Sequence, residues 1–172
     1  MSVSGSEITG NPYPSTLVYT ASTYDPNVGI FTLGGAFSTT NSYIYSNAYY
    51  YSNNETSWQS LSYSERPVGK YGATLDNYPP ENLNVMFGGV KNQDNSEGNG
   101  SIVFTNETLL LQFDANKNFN SEFLLSPLSP PERAFHCSAY DQERQEIVVF
   151  GGQDIDEVNK NDTWVFRMQE SE

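Results

Sequence analysis

The chain has 172 residues and a formal net charge of −13, with 8 Lys and Arg against 21 Asp and Glu. Hydrophobic residues make up 37% of it and aromatic residues 14%, which excludes whole-chain disorder, because a disordered chain lacks the apolar surface to form a core. So acidic a chain repels phosphate backbones, and its few basic residues provide no patch for nucleic acid.

No Lys or Arg precedes Arg66, and the last 41 residues hold 10 acidic against 4 basic side chains. Both ends are therefore acidic, a pattern that solvates the surface and weakly favours basic partners. Cys137 is the single cysteine, so no disulfide forms within the chain, and Met1 to Glu7 lack the basic and apolar parts of a signal peptide. No apolar run approaches the ~18 residues that span a bilayer. A reducing, cytoplasmic setting without a membrane span is the expectation. Sequons at Asn54, Asn99, Asn106 and Asn161 argue the other way, but Asn, Ser and Thr are abundant enough here to produce about that many by chance.

Residues 1–14 are read as an N-terminal extension able to supply an outer strand. Three units of similar layout follow, over about 15–64, 65–128 and 129–168, and 169–172 form a tail. In the first unit an apolar stretch ends in Tyr24-Asp25. The polar turn Asp25-Pro26-Asn27-Val28-Gly29 then leads to Ile30-Phe31-Thr32-Leu33, a run too brief for a helix and rich in strand formers. The doublet Gly34-Gly35 closes that run. Beyond a loop from Ala36 to Ser46, Asn47 introduces Ala48-Tyr49-Tyr50-Tyr51, and a fourth strand is expected around Trp58-Gln59-Ser60-Leu61.

The second unit repeats the order. A stretch ending in Leu75-Asp76 precedes Asn84-Val85-Met86-Phe87 and the doublet Gly88-Gly89. A polar loop from Val90 to Thr105, expected to be mobile, leads to Asn106-Glu107-Thr108-Leu109-Leu110-Leu111, with a fourth strand at Phe123-Leu124-Leu125. In the third unit a stretch ending in Tyr140-Asp141 and the run Ile147-Val148-Val149-Phe150 lead to Gly151-Gly152. The loop Gln153 to Lys160 and the strand Asn161-Asp162-Thr163-Trp164-Val165-Phe166 come next, and no fourth strand is evident.

The doublets lie 54 and 63 residues apart, a repeat of the length that stacks supersecondary units. Each second strand reads as a buried inner strand, paired as a hairpin with the stretch before it. A glycine pair at a strand end permits positive φ and close approach of a neighbouring backbone. Trp58, Trp164 and the Tyr49 to Tyr51 cluster are expected to fill the wedges between sheets.

Pro131, Arg133, His136, Gly151, Gly152, Asn161, Asp162 and Trp164 form, in that order, a pattern that resembles the kelch repeat. The second unit keeps Pro67, Lys70, Gly88, Gly89 and Asn106 without the His. The first keeps Gly34, Gly35, Asn47 and the Trp58 to Leu61 ending without Arg or His. The resemblance covers about residues 15 to 168. It implies an all-β fold of kelch-type β-propeller blades, each an antiparallel four-stranded sheet, about three in number. Propellers close with ~4–8 blades, so three would leave two faces open. A two-fold assembly of six blades is the most economical closed solution; a longer parent chain or a completing partner are the alternatives.

Chemistry-bearing constellations are sparse. His136 is the only histidine, so one chain cannot build a zinc or copper site with two His ligands, and the sequence departs from galactose oxidase-like propellers on that point. His136 and Cys137, adjacent on a strand, point to opposite faces. His136 reads as a structural residue hydrogen-bonding between strands or blades, and Cys137 as a small buried apolar one. The loop after the third doublet brings Asp154, Asp156 and Glu157 together. These carboxylates could offer oxygen to Ca²⁺ but lack an EF-hand ligand series, and they read as solvated acids. No cofactor, metal or catalytic residue is expected.

The kelch resemblance implies a protein-binding module or scaffold whose loops, held by a rigid frame, recognise a partner. The candidate binding residues are Tyr43, Tyr45, Asp94, Glu97, Asp154, Asp156 and Glu157. Tyr43 and Tyr45 read equally as aromatic anchors or as strand residues packing on a neighbouring sheet. An oxidase or specifier-like enzyme on the same scaffold is one alternative, and a truncated copy of a larger kelch protein another.

Overall fold

The computed structural model describes residues 17–37, 43–52, 54–55, 57–63 and 67–168. Over these residues the chain is all-β and antiparallel, its helical structure confined to a 3₁₀ turn at Pro79–Glu81. The first sheet runs β1 (Ala21–Asp25), β2 (Gly29–Leu33), β3 (Ala48–Tyr51) and β4 (Gln59–Ser60), each strand bonded to the next. The second begins with β5 (Thr74–Tyr78) and β6 (Leu83–Phe87). A separate hairpin of β7 (Val90–Asn92) and β8 (Ile102–Phe104) intervenes before β9 (Thr108–Phe113) and β10 (Phe119–Leu124) complete it. The third comprises β11 (Cys137–Asp141), β12 (Glu146–Phe150) and β13 (Thr163–Phe166).

Turn chemistry sets the hairpins. The Asp25 carboxylate accepts the Asn27 N–H at 2.7 Å, and the Val28 N–H reaches the Asp25 carbonyl, a side-chain-mimicked turn. Asp114 does the same between β9 and β10 by accepting the Asn116 and Asn118 N–H groups.

The three sheets share one register. Leu33, Phe87 and Phe150, each just before its doublet, lie opposite Ala21, Thr74 and Cys137 on the first strand and Ala48, Thr108 and Thr163 on the third. Because side chains alternate across a strand, this register gives every sheet a front, which carries the residue before the doublet, and a back. Phe31 and Leu33 on the front of the first sheet pack on Leu75, Met86, Leu109 and Leu111 on the back of the second. Phe31 meets Phe113 edge-on at 5.1 Å. Val85, Phe87 and Leu110 on the front of the second pack on Ile147, Val149 and Trp164 on the back of the third. Burying such residues supplies ~1.5–3 kcal/mol each. The first strands make the closest approach, β5 lying against β1 on one side and β11 on the other. The innermost line of the stack is therefore formed by β1, β5 and β11 rather than by the strands that end in the doublets.

Several expectations change. β10 starts at Phe119, because that ring is fully buried among Phe31, Tyr63 and Phe113. Leu125 falls beyond its end and is 92% exposed. The loop from Val90 to Thr105 holds a hairpin with Val90, Lys91 and Asn92 buried, and Asn92 Nδ2 donates to the Ser96 and Gly98 carbonyls. Cys137 is exposed rather than buried, since no described residue covers the front of the third sheet. Of the expected wedge-fillers, Tyr50 and Trp164 join the two cores, whereas Trp58 packs on Tyr51. Residues 1–14, the expected outer strand, and 169–172 lie outside the described residues. Among those described, no helix is long and apolar enough to cross a membrane.

Candidate functional site

Ahead of each first strand runs a short lead-in that pairs with the segment after a doublet: Val18 with Ala36, Tyr71 with Val90, and Ala134 with Gln153. The three loops expected to recognise a partner therefore leave the stack at one end. Backbone bonds stitch neighbouring units together there. The Gly35 N–H donates to the Lys70 carbonyl and the Gly89 N–H to the Arg133 carbonyl, both at 2.8 Å. A second series runs through Tyr19, Gly72 and Phe135, equivalent residues two positions before β1, β5 and β11. The Gly72 N–H donates to the Tyr19 carbonyl at 3.0 Å, and the Phe135 N–H to the Gly72 carbonyl at 2.7 Å.

Those three residues all adopt left-handed backbone, with φ of 57°, 65° and 60°. A bulky residue is strained in that region and stays there only where its surroundings dictate it, a feature concentrated at functional sites. Tyr19 and Phe135 meet edge-on at 5.1 Å, and the Tyr71 ring lies 6.0 Å from Phe135 and 6.3 Å from Tyr19. Burial, with Tyr19 beside it, pushes the Tyr71 phenol above its ordinary value. The outcome is an exposed aromatic cluster at the line where the units meet.

Beneath it lies a frame of buried charge. Arg133 is fully buried and grips Asp162 with two bonds of 2.7 and 2.8 Å, while donating to the Gly151 and Pro131 carbonyls. Asp162 also accepts the Trp164 indole N–H at 2.6 Å. Arg133, with help from that indole, holds the Asp162 carboxyl well below the usual range. Lys70 occupies the equivalent position one unit earlier, equally buried, with its ammonium 3.1 Å from Glu107, which Lys91 also binds. Burial pulls the Lys70 pKa down and Glu107 opposes that pull. A fork to carboxylate in one unit and a point charge in the other thus brace the same corner.

His136 extends the frame sideways, its Nε2 2.9 Å from Thr74 Oγ1 across two sheets and its ring edge-on to Phe87 at 5.2 Å. Burial, and then the Arg133 charge, lower its pKa from 6.5 to about 4. Between those values the unfolded chain binds the proton and the folded one does not, so stability is complete above about pH 6.5 and falls as the pH drops towards 4. The loss attributable to His136 is about 3 kcal/mol at the foot of that window. Asp76, whose carboxyl burial pushes up, offsets part of it. Urea melts at pH 7 and pH 5 should therefore show a steep dependence that His136→Gln flattens; an unchanged slope would place the titrating group elsewhere.

The loops bring some candidates together. Ile44 and Gly98 exchange backbone bonds of 3.0 and 3.1 Å, which tie the first loop to the second. Tyr43 and Tyr45 rings lie 4.7 Å apart, Gly98 sits under Tyr43, and the Ser46 N–H reaches Glu97 at 3.4 Å. Asp94 shapes the same turn by accepting from Ser96. Tyr43, Tyr45, Asp94 and Glu97 therefore share one surface, although 38–42 lie outside the described residues. Asp154, Asp156 and Glu157 belong to the third loop. There the Asp154 carboxylate accepts the Asp156 and Val158 N–H groups and pairs with Lys160, which closes the loop on itself. Among the described residues no group of three or more His, Cys, Asp or Glu is placed to hold a metal. Sequence reasoning missed Tyr19, Tyr71 and Phe135; the signal was an aromatic residue two positions before β1 and again before β11.

No family model and no curated protein matches the chain. Solved structures do. The protein YjhT aligns with a TM-score of 0.66 at 12% identity, over 93% of this chain and 45% of its own. A chain of the RAG complex with one melted and one unmelted RSS aligns with a TM-score of 0.60 at 17% identity, over 98% of this chain and 56% of its own. At such identities the likeness is one of fold. The chain spans about half the length of the structures it matches.

Proposed function

We propose that the three sheets are kelch-type propeller blades and that the end bearing the doublet loops is a protein-binding surface. The observation that carries this reading is the cluster of Tyr19, Tyr71 and Phe135, partly exposed, with Tyr19 and Phe135 in strained left-handed backbone, set beside ion pairs whose cations, Lys70 and Arg133, are buried. Aromatic side chains with few rotatable bonds on a rigid support are the residues that dominate interface energetics. The Tyr43–Tyr45 pair supplies a second aromatic anchor, and Asp94 and Glu97 give the surrounding rim a negative charge that complements a basic partner. A cytoplasmic setting for this binding module is part of the same proposal.

The test compares partner capture by the intact protein with capture by Phe135→Gly and by the double variant Tyr43→Ala, Tyr45→Ala. Glycine adopts the left-handed backbone of position 135 without strain, so folding is retained. A partner held by the intact protein should bind each variant about 30-fold more weakly, the effect of removing a 2 kcal/mol anchor. Thermal melting checks the fold. Unaltered capture by both variants would refute the site.

A further inference from the structure

We infer that the open front of the third sheet binds the back of the first sheet of a second copy, so that two chains close into one ring of six sheets. This rests on the reading of the sheets as propeller blades. The shared register allows the two open faces to be compared with faces already buried inside the chain.

The open front carries Val148, Phe150, Thr163 and Val165, and the register places Val85, Phe87, Thr108 and Leu110 at the same positions of the second sheet. There the third sheet covers them. Phe87 is 6% exposed and Leu110 5%, against 54% for Phe150 and 52% for Val165. At the other end, the back of the first sheet carries Ser22, Tyr24, Ile30, Thr32, Tyr49 and Tyr51. The back of the third carries Ser138, Tyr140, Ile147, Val149, Trp164 and Phe166 at the same positions. Serine matches serine, tyrosine tyrosine and isoleucine isoleucine; a β-branched residue and two aromatics complete the series. The second sheet departs from it, with Asn77, Asn84 and Leu109 at three of these places. The first sheet therefore presents the kind of back that a front of this kind already accepts.

The backbone agrees. Each internal junction uses a doublet N–H to the lead-in carbonyl of the next unit, and a lead-in N–H back to the left-handed residue of the unit before. Gly152 N–H and the Phe135 carbonyl, at one end, and the Leu17 carbonyl and Tyr19 N–H, at the other, make no hydrogen bond among the described residues. They are the two halves of that same pair. Gly34 and Gly88 sit so close to the next unit that a Cβ would fall 2.3 and 2.7 Å from the Lys70 and Arg133 carbonyls, whereas at Gly151 the nearest atom is 3.6 Å away. The Leu17 segment of a second copy has room there. A front-to-back contact joins different surfaces, so two copies satisfy all faces only by closing.

Sedimentation equilibrium of the full chain at tens of micromolar should give twice the single-chain mass, and added salt should strengthen pairing of two chains that each carry −13. Cys137, exposed on the open front, should react with a maleimide more slowly as concentration and mass rise. Phe150→Asp and Tyr24→Asp alter opposite faces at exposed positions, so each should yield a folded single chain with fast, concentration-independent labelling. Mixed, the two variants should regain a two-chain species through the one junction left intact. A folded single chain of the unaltered protein at these concentrations would overturn the ring, as would an unchanged mass for Tyr24→Asp, which would indicate a front-to-front contact, or open-ended polymers. If circular dichroism is unchanged in that single chain, the failure belongs to the pairing and not to the reading of the sheets as blades.

Discussion

Gly34→Ala is expected to lower the unfolding free energy by about 3 kcal/mol, while the same change at Gly151 costs about 1. Both glycines have a φ of +73°, so both variants place an L side chain in left-handed backbone, a strain of ~1–2 kcal/mol. The difference lies in the neighbour. At Gly34 the new Cβ would stand 2.3 Å from the Lys70 carbonyl oxygen, which is backbone of the adjacent unit and is already held by the Gly35 N–H. That oxygen cannot retreat without parting the first and second sheets, and such overpacking costs a further ~1–3 kcal/mol. At Gly151 the corresponding space is open to 3.6 Å. For a chain of this size the melting temperature should fall by about 9 °C in the first case and about 3 °C in the second. Equal losses would show that the close approach between units is not what selects glycine. Within the paired ring the Gly151 variant should also weaken association, because the Leu17 segment of the second copy would approach that position.

Arg133→Met is expected to destabilise the fold by about 3 kcal/mol, mostly through the carbonyls it leaves without a donor. The substitution leaves Asp162 facing a corner that has lost its cation, and strips the Gly151 and Pro131 carbonyls of their donor. The Asp162 side chain is 39% exposed and keeps most of its hydration when the cation goes, so the loss falls mainly on the two carbonyls, and either single change already removes the whole pair. Arg133→Met with Asp162→Asn should therefore lose less than the two single changes combined. The second unit suggests a sharper test. Lys70 and Glu107 hold the equivalent corner, the shorter reach of the acid at 162 being matched there by the branched guanidinium at 133. Arg133→Lys alone should lose about 2 kcal/mol, since an ammonium cannot form the two parallel bonds, and Arg133→Lys with Asp162→Glu should recover part of that loss. Chemical denaturation of the six variants of the two cycles, Asp162→Asn and Asp162→Glu alone among them, gives both couplings directly. Purely additive losses would mean that the frame is not a pairwise device.

Much of the fold could be read from the residues. The runs ending at Leu33, Phe87 and Phe150 became β2, β6 and β12, and the third strands fell where Asn47, Asn106 and Asn161 announced them. These features are local: alternation along a strand, a turn residue, a glycine pair. The hairpin β7–β8 escaped, because β7 is three residues, Val90-Lys91-Asn92, with no apolar alternation, its burial coming from Tyr71 and the doublet beside it, and the short run Ile102-Val103-Phe104 of β8 had no recognisable partner. The candidate site was legible only in part. Tyr43, Tyr45, Asp94 and Glu97 were singled out for lying in loops after doublets, but the bridge from Ile44 to Gly98 that sets them on one surface joins residues 54 positions apart.

The sequence by itself determined the repeat and the strand order within each unit, since each depends on the conformational limits of a few neighbouring residues. Tertiary structure decided which faces are covered. Phe87 and Phe150 occupy the same place in the same pattern, as do the small residues Thr74 and Cys137, yet one member of each pair lies under a neighbouring sheet and the other is open. Burial is a property of what packs against a residue, and the packing partners here come from the neighbouring repeat. The aromatic cluster of Tyr19, Tyr71 and Phe135 arises for the same reason, being assembled by stacking from three lead-ins that no local pattern connects.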